Sequence, residues 1–275
     1  MWLAGNSGPF LLKEVELAIG LEKPIRVLHI SDIHFAPGQK AKAKFLASLA
    51  ELKPDLVVNT GDNLGHKDAI NSCLSALEPL LGFPGVFVNG SNDYRAPKFR
   101  NPLRYFQGPS EVRNEVDLDT ERFTAELTGA GWLDLNNASG TLDVAGVKLG
   151  FLGLDDPHEN LDQLESLPVQ KNSLTDADVL IGVAHAPYLR VIEAFTKQDA
   201  SIVFAGHTHG GQICLPSSKA LVTNCDLPTE YAQGVSGWEF EGKQSLLHVS
   251  GGMGCSIFAP VRLFCPPSAT LLTIS

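Results

Sequence analysis

Ile25-Arg26-Val27-Leu28-His29-Ile30-Ser31-Asp32-Ile33-His34 is an apolar run of β-type residues that ends in an Asp-x-His pair. The same pattern recurs along the chain. Leu56 to Asn59 leads into Gly61-Asp62-Asn63, and Val86 to Val88 into Gly90-Ser91-Asn92-Asp93. Val179 to Ala184 leads into His185, and Ile202 to Ala205 into Gly206-His207-Thr208-His209. Strands of this kind, alternating with helical stretches, belong to an α/β sheet whose C-terminal strand ends converge on one crevice, so residues distant in sequence meet there. The set that would converge holds carboxylates and the imidazoles of His34, His185, His207 and His209. Oxygen and nitrogen donors of this type suit Mn, Fe, Zn or Co and are too many for one tetrahedral zinc. Two adjacent divalent metal ions fit better.

The intervening segments agree with that layout. Lys40 to Leu52 places Phe45, Leu46, Leu49 and Leu52 at helical spacing and stops at Lys53-Pro54-Asp55; a second helix is predicted from Lys67 to Leu80 and another over Phe123 to Gly129. Thr141 to Val144 and Val147 to Leu154 straddle Gly146 as a hairpin leading into a second sheet. Pro187 opens a helix from Tyr188 to Phe195, and Leu246 to Ser250 and Ala269 to Ile274 are late strands. Val15, Leu17 and Ile19 read as an edge or first strand.

With 275 residues and 44% hydrophobic residues the chain can fill one large core, and no Pro/Gly/Ser linker or repeat divides it, so residues 1–275 are expected to form a single domain. The net charge of −10 opposes a general polyanion-binding surface. Lys13, Glu14 and Glu16 interrupt Phe10 to Ile19, which excludes a good signal peptide or membrane span there. Cys73, Cys214, Cys225, Cys255 and Cys265 are odd in number without Cys-x-x-Cys spacing, which predicts free thiols in a reducing, cytoplasmic compartment, membrane-peripheral at most; a Cys214–Cys225 disulfide is the alternative.

The ordered motifs resemble those of the calcineurin-like metallophosphoesterases, D-x-H, G-D-x, G-N-H-[D/E], H and G-H-x-H, from Asp32 to His209. Gly206 to Pro216 and Val249 to Gly254 are similar to the ending of a bacterial branch of that family. The resemblance implies a four-layer α-β-β-α sandwich and two bound divalent metal ions, Mn or Fe/Zn. Carried over position by position, it implies that Asp32, His34 and His209 hold the first metal, His185 and His207 the second, and Asp62 bridges both. The departure is at Gly90-Ser91-Asn92-Asp93, where Ser91 stands in the place of the family's metal-binding Asn and Asn92 in that of its catalytic His. A carboxamide oxygen is a better ligand for a hard dication than a hydroxyl. Asn92 is therefore expected to supply the second metal's oxygen through a loop adjustment, with Ser91 as the open alternative.

In the family a metal-bridging hydroxide attacks phosphorus and the His assists the leaving oxygen. Here the candidate catalytic residues are Asn92, Asp93 and His158; His66 and Tyr94 are further substitute donors, and His158, at the end of a strand, is preferred. Between Tyr94 and Arg113 a basic segment with interleaved aromatic residues could clamp a phosphate and stack a base or sugar, or could equally be a solvated surface loop. His29 and His248 lie inside apolar strands and are read as structural, and Gly251 to Gly254 as a turn packed near Gly206. The expected function is a dinuclear-metal phosphodiesterase for a small anionic substrate, with nucleic acid disfavoured as a partner. The rival is a metal-retaining scaffold impaired in catalysis.

Overall fold

The computed structural model describes residues 2–98 and 117–275. Its first half comprises β1 (Trp2–Ala4), β2 (Leu11–Leu17), β3 (Ile25–Ile30), α1 (Lys40–Leu49), β4 (Leu56–Asn59), α2 (Ile70–Leu77), β5 (Gly85–Phe87), α3 (Ser91–Tyr94), α4 (Thr120–Gly129) and β6 (Leu133–Asp134). The second half comprises β7 (Ser139–Val144), β8 (Val147–Gly153), α5 (Leu167–Asn172), β9 (Val179–Val183), α6 (Leu189–Lys197), β10 (Ile202–Ala205), β11 (Gly234–Phe240), β12 (Lys243–Val249), β13 (Val261–Leu263) and β14 (Ser268–Ile274).

These strands form two six-stranded sheets, β2-β14-β3-β4-β5-β6 and β11-β12-β10-β9-β8-β7, with β1 and β13 as a separate pair. Strands β3, β4, β5 and β6 run parallel, as do β8, β9, β10 and β12. Side chains from both sheets, including Val27, Val58 and Leu272 from one and Phe151, Ile181 and Phe204 from the other, fill the layer between them. On the outer face of the first sheet, Leu46 and Leu49 of α1, Leu77 of α2 and Phe123 and Leu127 of α4 close a second core; Val191, Ile192 and Phe195 of α6 close a third over the other sheet. The result is the α-β-β-α sandwich. Continuous apolar runs suit strands covered on both faces, and the i, i+3 spacing of each helix gives it one buried stripe.

His29 of β3 and His248 of β12 meet across the inter-sheet layer with their Nδ1 atoms 2.8 Å apart. Burial pushes both imidazoles below the ordinary histidine range, and His248 adds to the effect on His29. The pair is a neutral polar tie between the sheets, with His29 Nε2 also 2.9 Å from Thr60 Oγ1. The predicted edge strand is β2, longer than the alternation around Val15 suggests, and all five cysteines are free.

Trp132 anchors the outer core of the first sheet, 2% exposed, with its Nε1 donating to the Phe83 carbonyl at 3.1 Å. Trp132→Ala is expected to cost about 3–5 kcal/mol of folding stability in urea titration. A loss below about 1 kcal/mol would show that the ring does not carry that layer.

Candidate metal centre

Every cluster singled out in the sequence lies just beyond the C-terminal end of a parallel strand. Asp32 and His34 follow β3, Asp62 follows β4, Asn92 and Asp93 follow β5, His158 follows β8, His185 follows β9, and His207 and His209 follow β10. An extended ribbon would put Asp32 and His34 on one side, but β3 ends at Ile30 and both residues have left-handed backbone, φ 49° and 43°. Asp62, His207 and His209 are also left-handed, at 55°, 68° and 52°. Such conformations are uncommon outside glycine and cluster at functional sites.

Asp62 lies at the centre. Its Oδ2 is 3.3 Å from His34 Nε2, and its Oδ1 is 3.6 Å from His185 Nε2. His34 Nε2 is 3.3 Å from His209 Nε2, which is 3.6 Å from Asp32 Oδ1. Asp32, His34, Asp62 and His209 each offer a ligand atom, all within 4.8 Å of one another. Asn92 reaches the same carboxylate: its backbone N–H donates to Asp62 Oδ1 at 2.8 Å and its Nδ2 to Oδ2 at 2.5 Å. Asp32 is fixed from behind by the Ser31 hydroxyl at 2.6 Å and by the His207 N–H, 3.1 and 3.0 Å from its two oxygens.

Backbone carbonyls set two of the tautomers. His185 Nδ1 faces Thr60 O at 2.7 Å, His209 Nδ1 faces Gly254 O at 3.0 Å, and His207 Nε2 faces Asn224 O at 3.1 Å. A carbonyl only accepts, so in the neutral rings His185 Nδ1 and His207 Nε2 carry the proton and His185 Nε2 and His207 Nδ1 keep the lone pair that binds a cation; His209 Nδ1 also lies 3.2 Å from Arg262 Nη2, a donor, so its carbonyl contact alone does not set its tautomer.

The electrostatics ask for positive charge. Burial, with the nearby Asp62 carboxylate adding to it, lifts Asp32 to about 6 and Asp93 and Asp156 to about 7. Burial opposes the charged form of His185, yet the carboxylates of Asp62, Asp156 and Asp32 outweigh it and raise this imidazole to about 9. Among the described residues His185 Nε2 and Asp156 Oδ2 are buried without a hydrogen-bond partner. Mixed imidazole and carboxylate donors, surplus buried anion and orphaned donor atoms together fit a divalent cation.

Asp93 ties loops together. Its Oδ1 accepts from the N–H groups of Asn63 and Leu64 at 2.8 and 3.2 Å, and its Oδ2 from Gly90 N–H at 3.0 Å. The ring of His158 is 4.6 Å from that of His207, and its Nδ1 is 3.0 Å from the Tyr188 hydroxyl. Tyr94 donates to Asp155 at 2.6 Å, while Arg95 holds Glu159 and Arg190 holds Asp162, each at 2.7 Å. The loop carrying His158 is thus anchored from both sides. His66 is half-buried, its Nδ1 accepting from Asp68 N–H at 3.1 Å. Arg95 pairs with Glu159, whereas Phe99, Arg100, Arg104, Tyr105, Phe106 and Arg113 of the basic-aromatic segment lie outside the described residues. Sequence reasoning missed Asp156, although it is two residues from His158, and the carbonyl partners at Thr60, Asn224 and Gly254, which no sequence signal marks.

The profile of the calcineurin-like phosphoesterases matches residues 25–211, from β3 to the turn after His209. The chain belongs to that family. It is 28% identical over 217 residues to a zebrafish (Danio rerio) transmembrane protein with a metallophosphoesterase domain, covering 73% of this chain and 45% of that protein. It is 28% identical over 272 residues to an uncharacterised metallophosphoesterase of Campylobacter jejuni, covering 96% of this chain and 63% of the relative. The chain therefore spans about half to two thirds of the length of these relatives. The Haemophilus influenzae NAD nucleotidase shares the fold with a TM-score of 0.51 at 14% identity, over 84% of this chain and 51% of that one. The Thermus thermophilus 5'-nucleotidase precursor also gives 0.51 at 14%, over 92% and 54%. The family is dinuclear-metal dependent, in keeping with the Asp and His cluster. Among the described residues no helix is long and apolar enough to cross a membrane.

Mn is expected to raise the melting temperature, since a ligand at 100 times its Kd stabilises the fold by about 2.7 kcal/mol, and a chelator should reverse the shift. Asp62→Asn should shrink that shift strongly in a thermal denaturation series; an undiminished shift would place the bound cation elsewhere.

Proposed function

We propose that this calcineurin-like phosphoesterase is a dinuclear-metal-dependent phosphoric ester hydrolase acting on a small anionic phosphodiester. The observation that carries the reading is the Asp62 carboxylate, with His34 and His209 grouped beside one oxygen and His185 beside the other. In this reading Asp32, His34 and His209 hold the first cation, His185, His207 and Asn92 the second, and Asp62 serves both. The Asn92 carboxamide already reaches Asp62 Oδ2 and, turned about its last bond, presents oxygen to a cation there. Bound divalent ions, Mn or Fe/Zn, supply Lewis acidity and an acidified water.

The chain's own residues supply the rest. Neither Ser91 nor Asn92 can transfer a proton near neutral pH, so leaving-oxygen assistance falls to His158, whose ring Tyr188 holds through Nδ1 beside His207. Asp93 keeps the Asp62 and Gly90 loops in register. The second reading, a metal-retaining scaffold with impaired catalysis, rests on the lack of an imidazole at Asn92 alone and is opposed by the grouped Asp32, His34, Asp62 and His209 donors, which a scaffold does not need. The free thiols support a cytoplasmic setting, and the acidic net charge supports a small substrate rather than nucleic acid.

Mn-reconstituted protein is expected to hydrolyse an activated aryl phosphodiester, with turnover abolished in Asp62→Asn. Two bound metals without turnover above that control would favour the scaffold. His158→Ala should lower hydrolysis of alkyl esters by about 100-fold or more while affecting aryl esters much less. Equal losses on both ester classes would remove His158 from the proton-transfer step.

A further inference from the structure

Two basic side chains are buried beneath the His34–His209 pair, and the roles proposed above leave both unused; burial pushes the Lys42 amine down to about 7. Lys42 of α1 and Arg262 of β13 are each 0% exposed. Neither forms an ion pair with a carboxylate among the described residues. Burying a basic group in its charged form costs several kcal/mol, and an apolar side chain of similar volume would avoid that cost. The two side chains must therefore provide what an apolar side chain cannot, which is hydrogen-bond donors.

Most of their partners are backbone carbonyls of the loops that carry the paired imidazoles; the others are Asn6 Oδ1 on Lys42, and His209 Nδ1 at 3.2 Å and Cys265 Sγ at 3.8 Å on Arg262. Lys42 Nζ faces three acceptors, Ile33 O at 2.5 Å, His34 O at 3.3 Å and Asn6 Oδ1 at 2.9 Å, which match the three protons of its ammonium form. Arg262 Nη1 donates to Gly251 O at 2.7 Å and to His209 O at 3.0 Å; Nη2 donates to Gly254 O at 2.5 Å. His34 and His209 both have left-handed backbone beyond the end of a strand, where their carbonyls have left the sheet ladder. Charge-assisted donors are the strong way to hold such carbonyls.

The two clamps meet at Gly254. Its carbonyl accepts from Arg262 Nη2 and also lies 3.0 Å from His209 Nδ1, which Nη2 itself approaches at 3.2 Å, so the guanidinium packs against both the ring of His209 and the carbonyl beside it. A side chain at Gly254 would run into the Ile33 carbonyl and approach Lys42 Nζ within 2.7 Å. Asn6 closes the arrangement, accepting from Lys42 and pairing with both N–H and C=O of Cys255 at 3.1 and 2.9 Å.

We propose that Lys42 and Arg262 are positioning residues, buried hydrogen-bond donors that hold the backbone under His34 and His209 and thereby set the affinity of that site for its divalent ion. The proposal rests on the metal-dependent reading of the site. Nearby positive charge repels a dication, so their contribution is one of geometry.

The test is Mn titration, read by the electron paramagnetic resonance of free Mn and by metal content after gel filtration. Wild type is compared with Lys42→Met, Arg262→Met, Arg262→Lys and Trp132→Ala. Wild type should bind two Mn. Each Met variant should bind one of them about 10- to 100-fold more weakly, as removal of an outer partner of a metal ligand typically does. Arg262→Lys should fall between, and Trp132→Ala, destabilised at a distance, should keep wild-type affinity. Wild-type affinity in both Met variants, or an equal loss in Trp132→Ala, overturns the proposal. Should the Met variants fail to fold, Lys42→Arg and Arg262→Lys, which keep the charge and displace the donors, carry the test, and unchanged affinity in both overturns it. Wild-type protein that binds no Mn overturns the metal-dependent reading and the inference with it.

Discussion

A buried carboxylate surrounded by other buried carboxylates is the constraint on which the rest depends. Asp62 is 3% exposed, and Asp32, Asp93 and Asp156, all fully buried, are each raised by burial and by its charge. Such a concentration of anion is costly away from water unless it is matched by cation or proton. Without a cation, His185 is driven toward its charged form by the same carboxylates. A divalent ion resolves both demands and leaves the imidazoles neutral, the state in which they are ligands.

Holding those groups together requires backbone that regular structure does not provide. Strands deliver the chain to the crevice, but beyond them five of the candidate ligands adopt left-handed conformations. The surrounding structure overdetermines them through Asp93 on the Asn63 and Leu64 amides, through carbonyls that fix each imidazole, and through Lys42 and Arg262 beneath. Close approach has the same purpose at Gly252, where a Cβ would lie 2.9 Å from the Cβ of Asp32. The Gly-rich turn after β12 is thus the floor under Asp32.

The altered Ser91-Asn92 step changes the chemistry available at the mouth without opening the fold. α3 starts at Ser91, so Asn92 can reach Asp62 with both its backbone N–H and its carboxamide. What the step lacks is a titratable ring. The loop after β8 brings one from the opposite sheet, and Tyr94, Arg95 and Arg190 tether that loop on both sides. A flexible loop could not hold His158 against His207 at 4.6 Å.

By itself the sequence determined the alternation of strands and helices, the α/β class and the residues gathered at the strand ends, because periodicity, turn residues and polar clusters after apolar runs are local signals. It also showed His29 and His248 to be interior without showing that they pair, since their strands belong to different sheets. Only the tertiary structure decided that His34 and His209 meet, that Asp156 joins the centre, and that a lysine on an amphipathic helix turns inward to hold a loop. Lys42 in sequence reads as one more solvated charge of α1. Its burial depends on carbonyls contributed by residues 33 and 34 and on Asn6, a grouping that exists only once the sheets have closed.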